Sequence, residues 1–216
     1  MPKNNSAGAN IRKLAQQRFI SAFWRYAAIA GILVAMLLLR TSGFSSFTLL
    51  LYPSGIGAIA YLYVDAKNLV KRAGDASRGA AAEVKVAELL APLVSRRWQI
   101  EYNFRIKYYG DADVVIKSPR GNWFVVDVKS HKGTKVYENG SLRRRYGKNT
   151  YDFSEGDLIA KVKGQAVQVG KLKGIGKIIP ILCFTESNVD ISGNKADSAY
   201  IVTADNLIKI LLFLDS

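Results

Sequence analysis

The chain contains 216 residues, enough for one ordinary globular domain and a smaller N-terminal segment. Its formal net charge is +14, but residues 1–78 hold 10 Lys and Arg against 2 Asp and Glu, and residues 79–216 hold 21 against 15. One cysteine excludes an internal disulfide, and one histidine without a cysteine pair argues against a zinc site. Because more than half of the basic excess flanks apolar segments, it indicates membrane topology before nucleic-acid binding.

Two apolar stretches near the N-terminus predict a transmembrane helical hairpin. They cover about residues 20–39 and 44–64, and each is long enough to cross a bilayer as a helix. Basic residues precede the first stretch and follow the second, whereas the turn between them holds only Arg40. The positive-inside rule therefore predicts a bacterial inner-membrane protein with both termini in the cytoplasm. The alternatives are a cleaved signal peptide and a buried helical hairpin of a soluble protein.

The remaining sequence predicts one α/β domain. We expect residues 1–78 to form the membrane anchor, with a polar linker at 65–78 that extends the second helix or joins it to the next, and residues 79–216 to form a soluble domain. The domain opens with a helix, continues with strands, and carries a long helix before its last strands and a final helix. The predicted strands lie at residues 98–104, 113–116, 123–128, 134–136, 142–144, 178–184 and 200–202, and the later helices at 155–172 and 206–213. This order predicts a mixed sheet flanked by helices.

Acidic residues stand at neighbouring ends of two predicted strands. Asp113 begins one strand, while Asp127 and Lys129 end the next and project from the same face because they are two residues apart. Two carboxylates beside a lysine are suited to a hard divalent cation and to phosphodiester hydrolysis. The lysine is placed to orient the attacking water or to stabilise the pentacoordinate phosphate. The alternative is that these residues are merely solvated strand ends.

Other polar residues are weaker candidates when each is taken alone. Glu83 lies in the first turns of a helix, where an acid also stabilises the helix dipole. Gln165 lies on the predicted 155–172 helix, where an amide is usually on the surface. Asp111 is a second acid beside Asp113, and strand alternation places both on the same side. His131 could reach the cleft, but we expect this lone histidine to face solvent.

Taken together, these segments resemble the PD-(D/E)XK nuclease superfamily, and within it the nuclease-related domain (NERD) group. The resemblance is carried by Gly79 and Glu83, by GDADVV at 110–115, by VVDVK at 125–129 with Gly133 behind it, and by Gln165. It covers residues 78–213. It implies a core similar to archaeal Holliday junction resolvases.

The resemblance also implies a role for each matching residue. Glu83 would be the helix acid, Asp113 and Asp127 would ligate the metal together with Glu83, Lys129 would be the catalytic lysine, and Gln165 would support them. The implied cofactor is Mg²⁺, with Mn²⁺ as an alternative. One position departs from the group, which more often has Glu where this chain has Asp127.

A basic run in the predicted hairpin is a candidate nucleic-acid contact. Arg143, Arg144, Arg145 and Lys148 lie close to two tyrosines, and cations beside aromatic rings suit phosphate contact and base stacking. A charged strand edge that blocks aggregation, or a lipid contact, would use the same residues.

The sequence therefore predicts a membrane-anchored, Mg²⁺-dependent DNA endonuclease that acts on the cytoplasmic face. Its expected partners are DNA, membrane lipids and a second copy of the chain or another membrane protein. Its expected role is the processing of, or defence against, incoming DNA. The alternatives are a catalytically inactive nucleic-acid-binding or scaffold module at the membrane, and a module that binds only proteins.

Overall fold

The computed structural model describes residues 7–41 and 46–216, without the side chains of residues 40 and 46–50. These residues divide into two compact units. One consists of Asn10–Arg78, and the other of Gly79–Ser216 together with the described residues at the N-terminal end, 7–9. Of the predicted turn at residues 40–43, Arg40 and Thr41 belong to a helix that ends at Thr41, and residues 42–43 lie outside the described residues.

The Asn10–Arg78 unit is built from two antiparallel helices. Helix α1 is Ala9–Thr41, and helix α2 is Ser46–Val94. Tyr52 donates a hydrogen bond to the carbonyl of Met36 at 3.0 Å, and Arg25 forms an ion pair with Asp65. The earlier residue of α1 contacts the later residue of α2, so the two helices run in opposite directions.

One helix among the described residues, Ala9–Leu39, is long and apolar enough to cross a membrane. Large apolar side chains on it, such as Phe23 and Trp24, are exposed, as on a surface that faces lipid. The structure thus supports one of the two predicted spans by length and composition. The described part of the second predicted span, 44–64, begins at Ser46 and lies in α2, which does not pass the same test among the described residues.

The polar linker at 65–78 is helical, because α2 runs through it without a break to Val94. Its sequence is rich in Ala, Lys and Arg, all good helix formers, and contains no proline. The last turns of α2 bury Ala82, Val86, Leu90 and Leu93 under the sheet described next.

The predicted mixed α/β architecture of the second unit is confirmed. A six-stranded sheet has the order β1-β2-β3-β7-β10-β9, and a four-stranded sheet has the order β6-β5-β4-β8. The strands are β1 (Gln99–Phe104), β2 (Ala112–Lys117), β3 (Trp123–Lys129), β4 (Thr134–Glu138), β5 (Ser141–Tyr146), β6 (Asn149–Tyr151), β7 (Ile179–Phe184), β8 (Val189–Asp190), β9 (Lys195–Ala196) and β10 (Ala199–Thr203). The helices are α3 (Leu158–Lys173) and α4 (Ala204–Asp215).

The larger sheet is covered on both faces, which explains its apolar central strands. Side chains of α2 and α4 pack on one face, and side chains of α3 pack on the other. Strand β3 pairs antiparallel with β2 and parallel with β7, so its C-terminal end at Lys129 lies beside Phe184. This end of β3 is where the candidate site is assembled.

Candidate active site

The end of the β2–β3 ladder brings the two predicted aspartates and the lysine together. Pairing between the strands ends with Val114 opposite Val126, and beyond it the N–H of Val128 donates to Asp113 Oδ2 at 2.6 Å. Lys129 Nζ lies 2.5 Å from Asp127 Oδ2 in an almost fully buried ion pair. Asp113, Asp127 and Lys129 therefore share one corner of the sheet, as the two-residue spacing on β3 predicts.

Gln165 also joins this corner. Its amide nitrogen donates to Asp127 Oδ1 at 3.3 Å and to the backbone carbonyls of Tyr109 and Asp111 at 3.3 and 3.1 Å. The residue is fully buried, which is not the environment of an ordinary surface amide. Gln165 thus fixes the orientation of Asp127 and ties the loop before β2 to α3.

Glu83 is buried near the same corner but is held by another partner. The N–H of Gly8 donates to Glu83 Oε2 at 2.9 Å. Burial raises the pKa of the Glu83 carboxyl, the Gly8 N–H opposes that rise, and the charges of Lys129 and Asp127 act on the same group. Glu83 is therefore an electrostatic neighbour of the two predicted catalytic residues on β3.

Burial and like charge act together on Asp113. Burial raises the pKa of its carboxyl well above the ordinary range, and the nearby charges of Asp127 and Glu83 raise it further. For the Lys129 ammonium, burial alone would lower the pKa, but the carboxylates of Asp127 and Asp113 outweigh burial and raise it. Lys129 is thus the cation that partly neutralises this group of acids.

The donor set fits a hard divalent cation by chemistry and charge. Glu83, Asp113 and Asp127 offer only oxygen atoms, and three ionised carboxylates would carry one more charge than the ammonium groups of Lys129 and Lys161 beside Asp127. Within residues 7–41 and 46–216, however, no three Asp, Glu, His or Cys side chains converge as a ready ligand group. Each carboxylate is engaged by a donor of the protein instead.

Two further charged residues belong to the site and were missed by the sequence analysis. Lys161 Nζ, on α3, lies 3.7 Å from Asp127 Oδ1. Glu155, just before α3, lies 4.0 Å from Lys129 Nζ through Oε2 and 3.5 Å from His131 Nε2 through Oε1. Lys161 could have been found, because it precedes Gln165 by four residues and therefore shares its helix face. Glu155 carries no comparable signal.

His131 contacts Glu155 and does not simply face solvent. Its side chain is 21% exposed, and its ring meets Phe153 edge-on with centroids 5.2 Å apart. The hydrogen bond from His131, together with the charges of Lys129 and Lys161, lowers the pKa of Glu155 to about 2 against the opposing effect of burial. Asp111, by contrast, has an exposed side chain, and only its carbonyl contacts the site through Gln165.

Glu155→Gln should remove a pH-dependent contribution of this carboxylate to the free energy of unfolding. The folded pKa of about 2 lies below the ordinary value of 4.5, so this contribution is present above pH 4.5 and is lost as the pH falls toward 2. Because the side chain is 46% exposed, we expect the variant to lose less than about 1 kcal/mol at pH 7. Urea unfolding at pH 7 and pH 3 measures this difference, and a gap of equal size at both pH values would contradict it.

The loop that follows Lys129 is held by a buried lysine. Lys135 is fully buried on β4, and its Nζ donates to the carbonyls of His131, Lys132 and Gly133 at 3.1, 3.0 and 2.7 Å. The ammonium also lies 4.7 Å from the centre of the Phe184 ring. Lys135 therefore fixes the backbone that carries His131.

Lys135→Met should lower the free energy of unfolding by about 3 kcal/mol, because three inward carbonyls lose a charged donor while the volume is kept. Urea unfolding of the full chain in detergent, followed by tryptophan fluorescence, measures the change. Lys132→Met is the matched control, because that side chain is exposed and its loss should cost less than about 0.5 kcal/mol. Equal effects of the two substitutions would show that the carbonyl contacts contribute nothing.

The predicted basic patch is not one surface. Alternation along β5 separates Arg143 and Arg145 from Arg144. Arg143 Nε bonds Asp152 at 2.8 Å, and Arg145 forms an ion pair with Asp190. Arg144 instead places its guanidinium 5.9 Å from the centre of the Phe153 ring, and Lys148 is exposed in the turn between β5 and β6. The structure does not bring these four residues together as a clamp.

Comparison with known proteins bears on the unit that carries this site. Residues 78–185, half of the chain, match the nuclease-related domain, NERD. The match includes Glu83, the strands with Asp113, Asp127 and Lys129, and Gln165 on α3. A search of curated proteins and a search of solved structures each found no match. By the family match, the chain belongs to the nuclease-related domain family.

Proposed function

We propose that this protein is a membrane-anchored, Mg²⁺-dependent DNA endonuclease. The observation that carries the proposal is the buried ion pair of Lys129 with Asp127, 2.5 Å long, beside Asp113 at the end of two paired strands. Membership of the nuclease-related domain family suggests a nuclease function, and the chemistry of the donor set supports a divalent cation.

In this proposal, each residue acts through its observed surroundings. Asp113 and Asp127, with Glu83 nearby, would hold Mg²⁺, which when bound supplies charge neutralisation at the phosphate and a more acidic water. Lys129, kept protonated by its acidic neighbours, would stabilise the negative charge that develops on the phosphate. Gln165 would keep Asp127 in place, since its buried amide nitrogen already contacts that carboxylate.

An N-terminal anchor would hold this activity at a membrane. We propose that α1 and the apolar first part of α2 form a two-helix hairpin in a bacterial inner membrane, with both termini and the nuclease-related domain in the cytoplasm. The antiparallel contacts between the helices and the positive flanks support this arrangement. A nuclease held there would meet incoming DNA, for processing or defence, and the proposed partners are DNA, lipids and a second copy of the chain or another membrane protein.

Cleavage by the full chain in detergent tests the proposal. Supercoiled plasmid, linear duplex, branched and single-stranded DNA should be cut with Mg²⁺ or Mn²⁺ and left intact with EDTA. Gel analysis of the products measures the rate and distinguishes internal nicks from end resection. Absence of cleavage on every substrate with either ion would overturn the proposal.

One observation favours a second candidate, a catalytically inactive nucleic-acid-binding module. The three carboxylates are each engaged by protein donors: Glu83 by Gly8, Asp113 by Val128, and Asp127 by Lys129. A module of this kind would bind DNA with a strong dependence on salt, would cut nothing, and would bind equally well after Asp127→Asn.

A further inference from the structure

Two adjacent tyrosines are exposed in the loop between β1 and β2. Tyr108 is 71% exposed and Tyr109 is 43% exposed. Single exposed aromatic side chains need no explanation, but two in succession on a loop that contacts a candidate active site call for one. The sequence analysis assigned no role to this loop.

The loop between β1 and β2 is bound by the side-chain amide of Gln165, which also contacts Asp127. Gln165 Nε2 donates to the carbonyls of Tyr109 and Asp111 as well as to Asp127 Oδ1, so one nitrogen atom joins the loop to the candidate site. Gly110 makes the turn between them with φ +70°, a conformation that favours glycine. The backbone of the loop at Tyr109 and Asp111 is therefore held to the amide that contacts Asp127.

The ring of Tyr109 rests on α3 at a glycine. A Cβ added at Gly164 would lie 2.5 Å from Tyr109 Cε1, so any side chain at this position would displace the ring. Gly164 immediately precedes Gln165 on α3. Two successive residues of α3 thus position Tyr109, one by leaving space for its ring and one by binding its carbonyl.

Positive charge lies near these two tyrosines. Arg105 and Lys107 are exposed on the same loop, and Lys107 Nζ lies 5.5 Å from the centre of the Tyr108 ring. On α3, Lys161 Nζ lies 3.7 Å from Asp127 Oδ1, the same carboxylate oxygen that Gln165 contacts. Asp111 is the opposing acid of the loop. Cations interleaved with exposed rings are typical of surfaces that contact phosphates and stack on bases.

We propose that Tyr108 and Tyr109 stack on unpaired bases, so that the substrate of this site is a nucleic acid with single-stranded character next to the phosphate to be cut. In a duplex, both faces of a base are covered by its neighbours, whereas an unpaired base offers a free face to a tyrosine. The proposal rests on the proposed nuclease function. It adds a preference for unpaired strands that family membership does not supply.

Binding measured in EDTA tests the proposal without cleavage. The full chain in detergent is titrated into fluorescein-labelled single-stranded DNA, single-stranded RNA and duplex DNA of one sequence, and fluorescence anisotropy gives the affinities. Tyr108→Ala and Tyr109→Ala should each weaken single-strand binding by roughly tenfold, and duplex binding by less than about twofold. The corresponding Phe variants should bind like the wild type, because the stacking face is kept.

Two further variants separate stacking from other effects. Gly164→Ala should weaken single-strand binding as Tyr109→Ala does, because the added Cβ displaces the ring. Tyr137→Ala is the matched control, because Tyr137 is also exposed but lies on β4. It should change no affinity.

The outcomes distinguish this proposal from the proposed function. Equal losses for single strands and duplex, or no loss in either tyrosine variant, would overturn the stacking proposal. A loss confined to DNA or to RNA would support stacking and identify the sugar that the surface accepts. If the tyrosine variants lose single-strand binding selectively but the protein cuts nothing with Mg²⁺, the stacking proposal stands and the proposed nuclease function fails. If the protein cuts DNA but the tyrosine variants bind like the wild type, the nuclease function stands and the stacking proposal fails.

Discussion

Asp127→Asn should lower the Mg²⁺-dependent cleavage rate of the full chain by roughly 10³-fold or more. Asp127 contacts three side chains of the site, those of Lys129, Lys161 and Gln165. The amide keeps the volume but removes the negative charge, so the cation and the lysine both lose their central partner. Single-turnover cleavage of a labelled DNA substrate measures the rate, and DNA binding should be retained.

Asp215→Asn is the control for this substitution. Asp215 ends α4, where it accepts a hydrogen bond from Asn122 at 3.0 Å, and it has no contact with the candidate site. Its variant should cut at the wild-type rate within about twofold. Retention of more than a tenth of the wild-type rate in Asp127→Asn would contradict the assigned role of this carboxylate.

Lys129→Met should lower the cleavage rate by roughly 10²–10³-fold. The methionine keeps much of the aliphatic chain but removes the ammonium that faces Asp127 and, more distantly, Glu155. Without it, the cluster loses the charge that stabilises a phosphorane, and the pKa of Asp113, which the lysine holds down, should rise further. The rate is measured in the same assay at saturating Mg²⁺.

The control for Lys129 is Lys209→Met, which removes an exposed ammonium on α4. It should leave the rate unchanged within about twofold. If Lys129→Met and Lys209→Met behaved alike, the buried lysine would be structural and the catalytic assignment would fail.

The central strands were predictable because burial on both faces leaves a strong sequence signal. The apolar run at 178–184 predicts a doubly covered strand, and β7 lies between parallel neighbours with helices on both faces. The strands β8 and β9 could not be predicted, since two residues carry no periodicity. Helix α2 continues through the polar segment 65–78 because the alanine, lysine and arginine residues there favour a helix.

Site residues were likewise predictable where their contact follows from nearby sequence, and were not where it depends on distant residues. Asp127 and Lys129 were predictable because their contact follows from spacing within one strand. Glu155 was assigned to the first turn of a helix, but Asp157 caps α3 by accepting from the N–H groups of Ile159 and Ala160. Glu155 therefore lies outside the helix, where it reaches Lys129.

The basic run shows that an available signal can be overlooked. Consecutive residues of a strand point to opposite faces, so Arg143, Arg144 and Arg145 could not form one patch once β5 was predicted. The loop between β1 and β2 that carries Tyr108 and Tyr109 had no such signal. Its position beside Asp127 depends on Gln165 and Gly164, more than 50 residues away in the sequence.

A double-mutant cycle on Asp127 and Lys129 tests most directly whether these residues act as one catalytic unit. Single-turnover cleavage with Mg²⁺ is measured for the wild type, Asp127→Asn, Lys129→Met and the double variant. When two residues serve the same step around the same ion, the second substitution adds little to the loss of rate that the first has already caused. The double variant should therefore cut within about threefold of the rate of Asp127→Asn. A double variant slowed by the product of the two single losses would contradict the account.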